Sequence, residues 1–203
     1  MKWLHLWPVA PVTTQPKTHL RVEFLGLPGS GKTTIARELH EMLAHTQPEL
    51  IFAPDLLRDE AHTRVRGAAK LWLILSELGR GGTGFDSIRR VLTIRQTHPR
   101  DKLRAVFTIA TMVSLYAHLQ RRGLSAVLDQ GILQALWSVQ LGAAGNGSDA
   151  LLAGLLDEAA CSGRVHVSVE TPRNVCIQRL GARTSKHSRM QGNGRACELH
   201  AWE

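Results

Sequence analysis

Gly26-Leu27-Pro28-Gly29-Ser30-Gly31-Lys32-Thr33 (GLPGSGKT) decides how the rest of the chain is read. The segment satisfies G-x-x-x-x-G-K-[ST] at every fixed position, and both of its flanks fit. Ahead of it, Leu20 to Leu25 (LRVEFL) reads as a buried strand that stops at Gly26. Behind it, Ile35, Leu39, Met42 and Leu43 recur at helical spacing, one face of an amphipathic helix that ends before Pro48. The glycines permit backbone conformations closed to other residues, so successive N–H groups can turn inward around phosphate oxygens. The helix that follows adds the partial positive charge of its N-terminus. Gly26, Leu27, Pro28, Gly29, Ser30, Gly31, Lys32, Thr33 and Thr34 are therefore expected to hold the phosphates of a nucleotide. Lys32 would bridge the β- and γ-phosphates, and the Thr33 hydroxyl would bind Mg²⁺.

Working outward, strands and helices alternate. Leu50 to Ala53 reads as a short second strand before Pro54, and Asp55 to Leu78 as a helix with Leu71, Leu75 and Leu78 on one stripe. Gly79 to Gly84 is a loop, Ile88 to Gln96 a short helix, and Asp101 to Arg122 a long apolar helix closed by Gly123. Ser125 to Leu128 (SAVL) is a short buried strand, and Ile132 to Leu141 is helical. After a Gly/Ala/Asn loop, Asp149 is placed to cap a helix running to Ala160. Val165 to Val169 is a strand, and Pro172 sits where the first turn of a helix tolerates proline. This order, without internal repeats, predicts a three-layer α/β fold on a parallel sheet.

Two further groups complete a candidate site. Asp129 ends the strand Ser125 to Leu128, where a metal-assisting carboxylate belongs, although an Asp capping the next helix would occupy the same position. Arg179 and Arg183 lie at i, i+4 on the last helix, with Arg189 beyond them. Like charges at that spacing repel by a few tenths of a kcal/mol unless an anion sits between them. A transferring phosphoryl group is such an anion; a solvated basic face near a helix C-terminus is the plainer alternative.

Taken together, FLGLPGSGKTTIARELHEML, the strand-terminal LDQG and the late VSVETPRNVCIQRLGAR resemble the P-loop nucleoside and nucleotide kinases, thymidylate kinase-like and adenylate kinase-like proteins above all. The resemblance spans roughly residues 20–190, and its first motif is the specific one. It implies strand order 2-3-1-4-5, an arginine-bearing lid over about 179–195, and transfer of the ATP γ-phosphate to a small acceptor, with Mg²⁺ as cofactor. Gln130 departs from the thymidylate kinase pattern, which carries Arg there, so the acceptor is not implied. The family continues past the lid with a helix and a final strand. Here Arg195 to Trp202 reads as a turn or two of helix, so the fifth strand is not expected in this chain.

Composition bounds the rest. The chain has 203 residues, 43% hydrophobic and 21% charged, with 18 Gly and 8 Pro, which excludes collagen, coiled coil and wholesale disorder. The expected organisation is an irregular leader over 1–19, interrupted by Pro8, Pro11 and Pro16, and a single domain over 20–203 whose acceptor side is the helical region 55–122. The leader does not fit a signal peptide, and Ala105 to Ala117 is too short an apolar run to span a bilayer. Cys161, Cys176 and Cys197 are odd in number with no C-x-x-C pair, which reads as reduced thiols of a cytoplasmic protein. A net charge of +8 favours phosphate-bearing partners.

Other candidates are weaker. His40 and His45 are five residues apart, which turns them to different helix faces by about 500° of rotation, against a zinc site. Asp55 and Glu60 follow the second strand, near where related kinases hold an acceptor-side carboxylate, but caps or exposed charges fit them better. Arg80 to Arg104 is basic but has only Phe85 for base stacking, against nucleic acid as a partner. Trp72, Trp137 and Tyr116 are expected in the core. The leading function is an ATP-dependent small-molecule kinase. The alternatives are a regulatory P-loop ATPase or switch, and a toxin-like or polynucleotide-end kinase. No N-K-x-D string occurs, which argues against a GTPase.

Overall fold

The computed structural model describes residues 19–56, 63–80, 85–140, 142–144 and 164–182. The expected leader up to residue 18, the helix from Asp149, Glu60, Arg183, Arg189, Cys161, Cys197 and most of the expected lid lie outside the described residues. In chain order the elements are β1 (Arg21–Gly26), α1 (Lys32–Ala44), β2 (Ile51–Phe52), α2 (Ala53–Leu56), α3 (Thr63–Leu78), α4 (Phe85–Thr93), α5 (Pro99–Arg122), β3 (Ala126–Leu128), α6 (Ile132–Gln140), β4 (Val165–Val169) and α7 (Arg173–Gly181).

The four strands form one parallel sheet in the order β2-β3-β1-β4. Val22 pairs with Val127 on one side and with Val165 on the other, and Phe52 pairs with Val127. This is the predicted order through its fourth strand. Because side chains alternate along a strand, the sheet separates two cores, and β3 feeds both. Val22, Phe24, Phe52, Val127 and Val169 pack beneath α1 with Ala36, Leu39 and Leu43. Ala126 and Leu128 face the opposite layer, where Ile109, Leu115 and Leu119 of α5 meet Ile132, Leu136 and Val139 of α6. Helices on both faces of a parallel sheet are the three-layer α/β architecture.

Two helices turn differently from their sequence pattern. On α1 the buried positions are Lys32 and Ala36, with Leu39 and Leu43 packed beside them, while Ile35 is 36% and Met42 72% exposed. The loop sets this phase. With Lys32 held inward, Ala36, Leu39 and Leu43 fall within about 40° of it, and Ile35 and Met42 about 60–80° away. On α3 the expected stripe is reversed: Leu71 and Leu75 are exposed, whereas Leu73, Ile74 and Glu77 are buried. Trp72, expected in the core, is 68% exposed. The reason is one-sided packing, since α3 rests chiefly on α5 and needs only the face that meets it. Tyr116 is buried and Trp137 half-buried. Among the described residues no helix is long and apolar enough to cross a membrane.

Candidate nucleotide site

The loop between β1 and α1 stands at the carboxyl ends of β1, β3 and β4, the edge of an open parallel sheet where ligand crevices form. Gly26 and Gly29 have φ of +151° and +86°, conformations that other residues adopt only under strain. Both also sit where a side chain has no room. A Cβ on Gly26 would stand 2.6 Å from the Val169 carbonyl oxygen, and one on Gly29 would stand 2.7 Å from the Cys176 carbonyl oxygen. The loop is thus seated against the end of β4 and against α7. Thr171 ties it further, its hydroxyl donating to the Ser30 carbonyl at 3.0 Å. Gln134 of α6 accepts from the Gly26 N–H at 3.3 Å.

The Lys32 ammonium is buried and donates to the Gly26 and Leu27 carbonyls at 2.6 and 2.8 Å. It therefore lies folded across the loop it is expected to serve. Thr33, in the first turn of α1, donates its hydroxyl to Asp129 Oδ2 at 3.0 Å. Arg179 reaches from α7 to the Gly29 carbonyl, its Nη1 at 3.4 Å. Four residues singled out in the sequence, Lys32, Thr33, Asp129 and Arg179, thus come together around one loop. Asp55 is exposed on α2, the short helix that follows β2, and His40 hydrogen-bonds the Leu50 carbonyl at 3.0 Å.

The arrangement suits a phosphate chain and a hard cation. Ser30 Oγ is buried in the loop without a hydrogen-bond partner among the described residues, and Thr33 and Asp129 bring two oxygen donors side by side. Next to the loop a cavity of about 360 Å³ is lined by Leu25, Gly26 and Leu27, by Gln134 and Trp137 of α6, and by the end of β4. Its size is that of a small-ligand pocket. Burial pushes the Cys176 thiol up, against the lowering effect of nearby Arg179 and Lys32, so it is held as a thiol.

Sequence reading missed Glu23. It lies on β1 between Val22 and Phe24, on the α5/α6 face, and is 2% exposed. Its carboxylate accepts the Tyr116 hydroxyl proton and, at 3.1 Å, the Ile132 N–H that opens α6. Arg164 Nε lies 3.5 Å from one carboxylate oxygen and His166 Nδ1 3.7 Å from the other. The signal was available: a charged residue in a run expected to be buried on both faces must have partners.

A family model described as an AAA domain matches residues 22–198. No curated protein and no solved structure matches the chain. The match covers most of the chain, which therefore belongs to the AAA domain family, a P-loop nucleotide-binding family that includes kinases.

Proposed function

We propose that this P-loop domain is an ATP-dependent phosphotransferase of the nucleoside and nucleotide kinase kind, acting on a small acceptor. The observation that carries this reading is the convergence of Lys32, Thr33, Asp129 and Arg179 on the Gly26–Thr34 loop. A basic side chain brought to the loop from α7 is an added means of stabilising charge on a phosphoryl group in transit.

In this reading the loop N–H groups and the N-terminus of α1 bind the phosphate chain, with Thr34 following Thr33 in the first helical turn. Thr33 and Asp129 would hold Mg²⁺, which neutralises phosphate charge when bound. Lys32 exchanges its two loop carbonyls for phosphate oxygens and keeps the terminal phosphoryl in place. An acceptor oxygen forms the new bond to the γ-phosphorus as the bond to the β–γ bridging oxygen breaks. ADP leaves, and the acceptor proton passes to solvent or to the product. Arg179, with Arg183 as its sequence-predicted companion, offsets the charge on the equatorial oxygens. The cavity beside Leu25 to Leu27 supports a small-molecule partner.

The test is ADP release measured with a panel of nucleosides, nucleotides and sugars. Release that depends on one of them supports the kinase reading. Release at the same rate with water alone replaces it with the regulatory ATPase. Release only with an oligonucleotide, falling steeply with salt, replaces it with a polynucleotide-end kinase.

A further inference from the structure

Asp129 precedes α6 by only two residues, Gln130 and Gly131, so the place of its carboxylate depends on how the start of α6 is held. The first N–H groups of a helix have no partner within it. Among the described residues, no side chain on the turn itself accepts the Ile132 N–H. The acceptor comes from across the sheet, from Glu23 Oε2 at 3.1 Å. Tyr116 OH lies 3.3 Å from the same N–H and donates to the other Glu23 oxygen. Burial first, and then the Glu23 charge beside it, holds the Tyr116 phenol well above its ordinary value, which keeps it a donor. Arg164 braces the pair, its guanidinium carbon 3.9 Å from the centre of the Tyr116 ring.

Gly131 is the second, independent observation. Its φ is not positive, so no backbone reason demands glycine there. What excludes a side chain is Glu23 itself: a Cβ on Gly131 would overlap the carboxylate and stand 2.8 Å from the Glu23 Cβ. The DQG turn is therefore shaped to lie directly on Glu23.

We propose that Glu23 is a positioning residue that fixes the Asp129-Gln130-Gly131 turn, and with it the metal-facing carboxylate, through the Ile132 N–H. Glu23 is too deeply buried to touch nucleotide, so it acts only through Asp129. The inference rests on the reading of Asp129 as a Mg²⁺ ligand.

The experiment is calorimetric titration of ATP in excess Mg²⁺ and in EDTA, with each variant's fold checked by circular dichroism. The metal-dependent gain in affinity reads Asp129, and the metal-free affinity reads the loop. Gly131→Ala and Glu23→Leu are expected to lower the gain at least about fivefold while metal-free affinity stays within about twofold. Glu23→Gln retains an acceptor for the Ile132 N–H and is expected to restore most of the gain, which a purely electrostatic role would not allow. Tyr116→Phe, which deletes only the hydroxyl steadying Glu23, keeps the test open should Glu23→Leu fail to fold, with an expected loss of about twofold or more. A wild-type gain in folded Gly131→Ala overturns the proposal, as does a parallel fall in metal-free affinity. Absence of any gain in the wild-type protein overturns the Mg²⁺ reading of Asp129, and this inference with it.

Discussion

The Thr33 hydroxyl donates to Asp129 Oδ2 at 3.0 Å, a contact that joins the first turn of α1 to the end of β3 across 96 residues of sequence. Thr33 is exposed and Asp129 half-buried. What they share is a position at the mouth of the Gly26–Thr34 loop, where two oxygen donors suit a divalent cation.

Replacing Asp129 with Asn keeps the shape and the capacity to accept the Thr33 proton but removes the charge. Charge-assisted contacts are roughly twice as strong as neutral ones, so a loss of about tenfold in Mg²⁺-dependent nucleotide affinity is expected. Titration at fixed ATP and rising Mg²⁺ measures it. An unchanged Mg²⁺ midpoint would count against the metal role.

Gly29→Ala forces a side chain into a φ of +86° and onto the Cys176 carbonyl. A cost of about 1–3 kcal/mol is expected, together with weakened nucleotide binding because the loop must shift away from α7. Gly181, on the last turn of the same α7, has open space around it, so Gly181→Ala should leave stability unchanged within about 0.5 kcal/mol or raise it. Denaturant midpoints of the two variants separate a local loop requirement from general intolerance.

Trp72 and Leu119 test the corrected core. Trp72→Ala should change stability by no more than about 0.5 kcal/mol, since the ring is 68% exposed. Leu119, on α5 and fully buried in the cluster with Ala126, Leu128 and Leu136, should cost about 2–5 kcal/mol when cut to Ala. A large loss for Trp72→Ala would restore the expectation drawn from its apolar neighbours.

That contrast shows what the sequence could and could not convey. The loop, both of its flanks and the placing of Asp129 beside it were legible, because the G-x-x-x-x-G-K-[ST] spacing and the strand ending at Leu128 are local patterns. Arg179 was legible as half of a repulsive pair, and only its half lies among the described residues. The phase of α1 was not, because Ile35 and Met42 are as apolar as Leu39 and Leu43, and the inward turn of Lys32 decided between them. On α3 the apolar residues encircle the helix, so periodicity could not say which face meets α5. Glu23 was open to notice as a charge in a buried strand, but its partners, Tyr116 and Ile132, lie about a hundred residues away and were not legible.

Alkaline pH probes the buried Tyr116. Its phenol is raised in the folded protein above the ordinary value of 10.0. Such a group contributes stability that is complete below the unfolded value and is lost as pH climbs from about 10 towards the folded one. The denaturant midpoint should therefore fall above pH 10 more steeply in the wild-type protein than in Tyr116→Phe. Parallel slopes would contradict the buried, protonated phenol.

The central claim is that the Gly26–Thr34 loop binds Mg·ATP, and the thermal midpoint with and without that ligand tests it most directly. At 100 times its dissociation constant the ligand should stabilise the native state by about 2.7 kcal/mol, an upward shift that is readily measured. Lys32→Ala removes a charged donor buried in the loop, so its affinity should fall by about 10- to 100-fold and the shift should shrink by about half or more. A shift with Mg·ATP that Lys32→Ala diminishes is the predicted result. No shift with the wild-type protein, or a full shift that survives Lys32→Ala, would contradict the account.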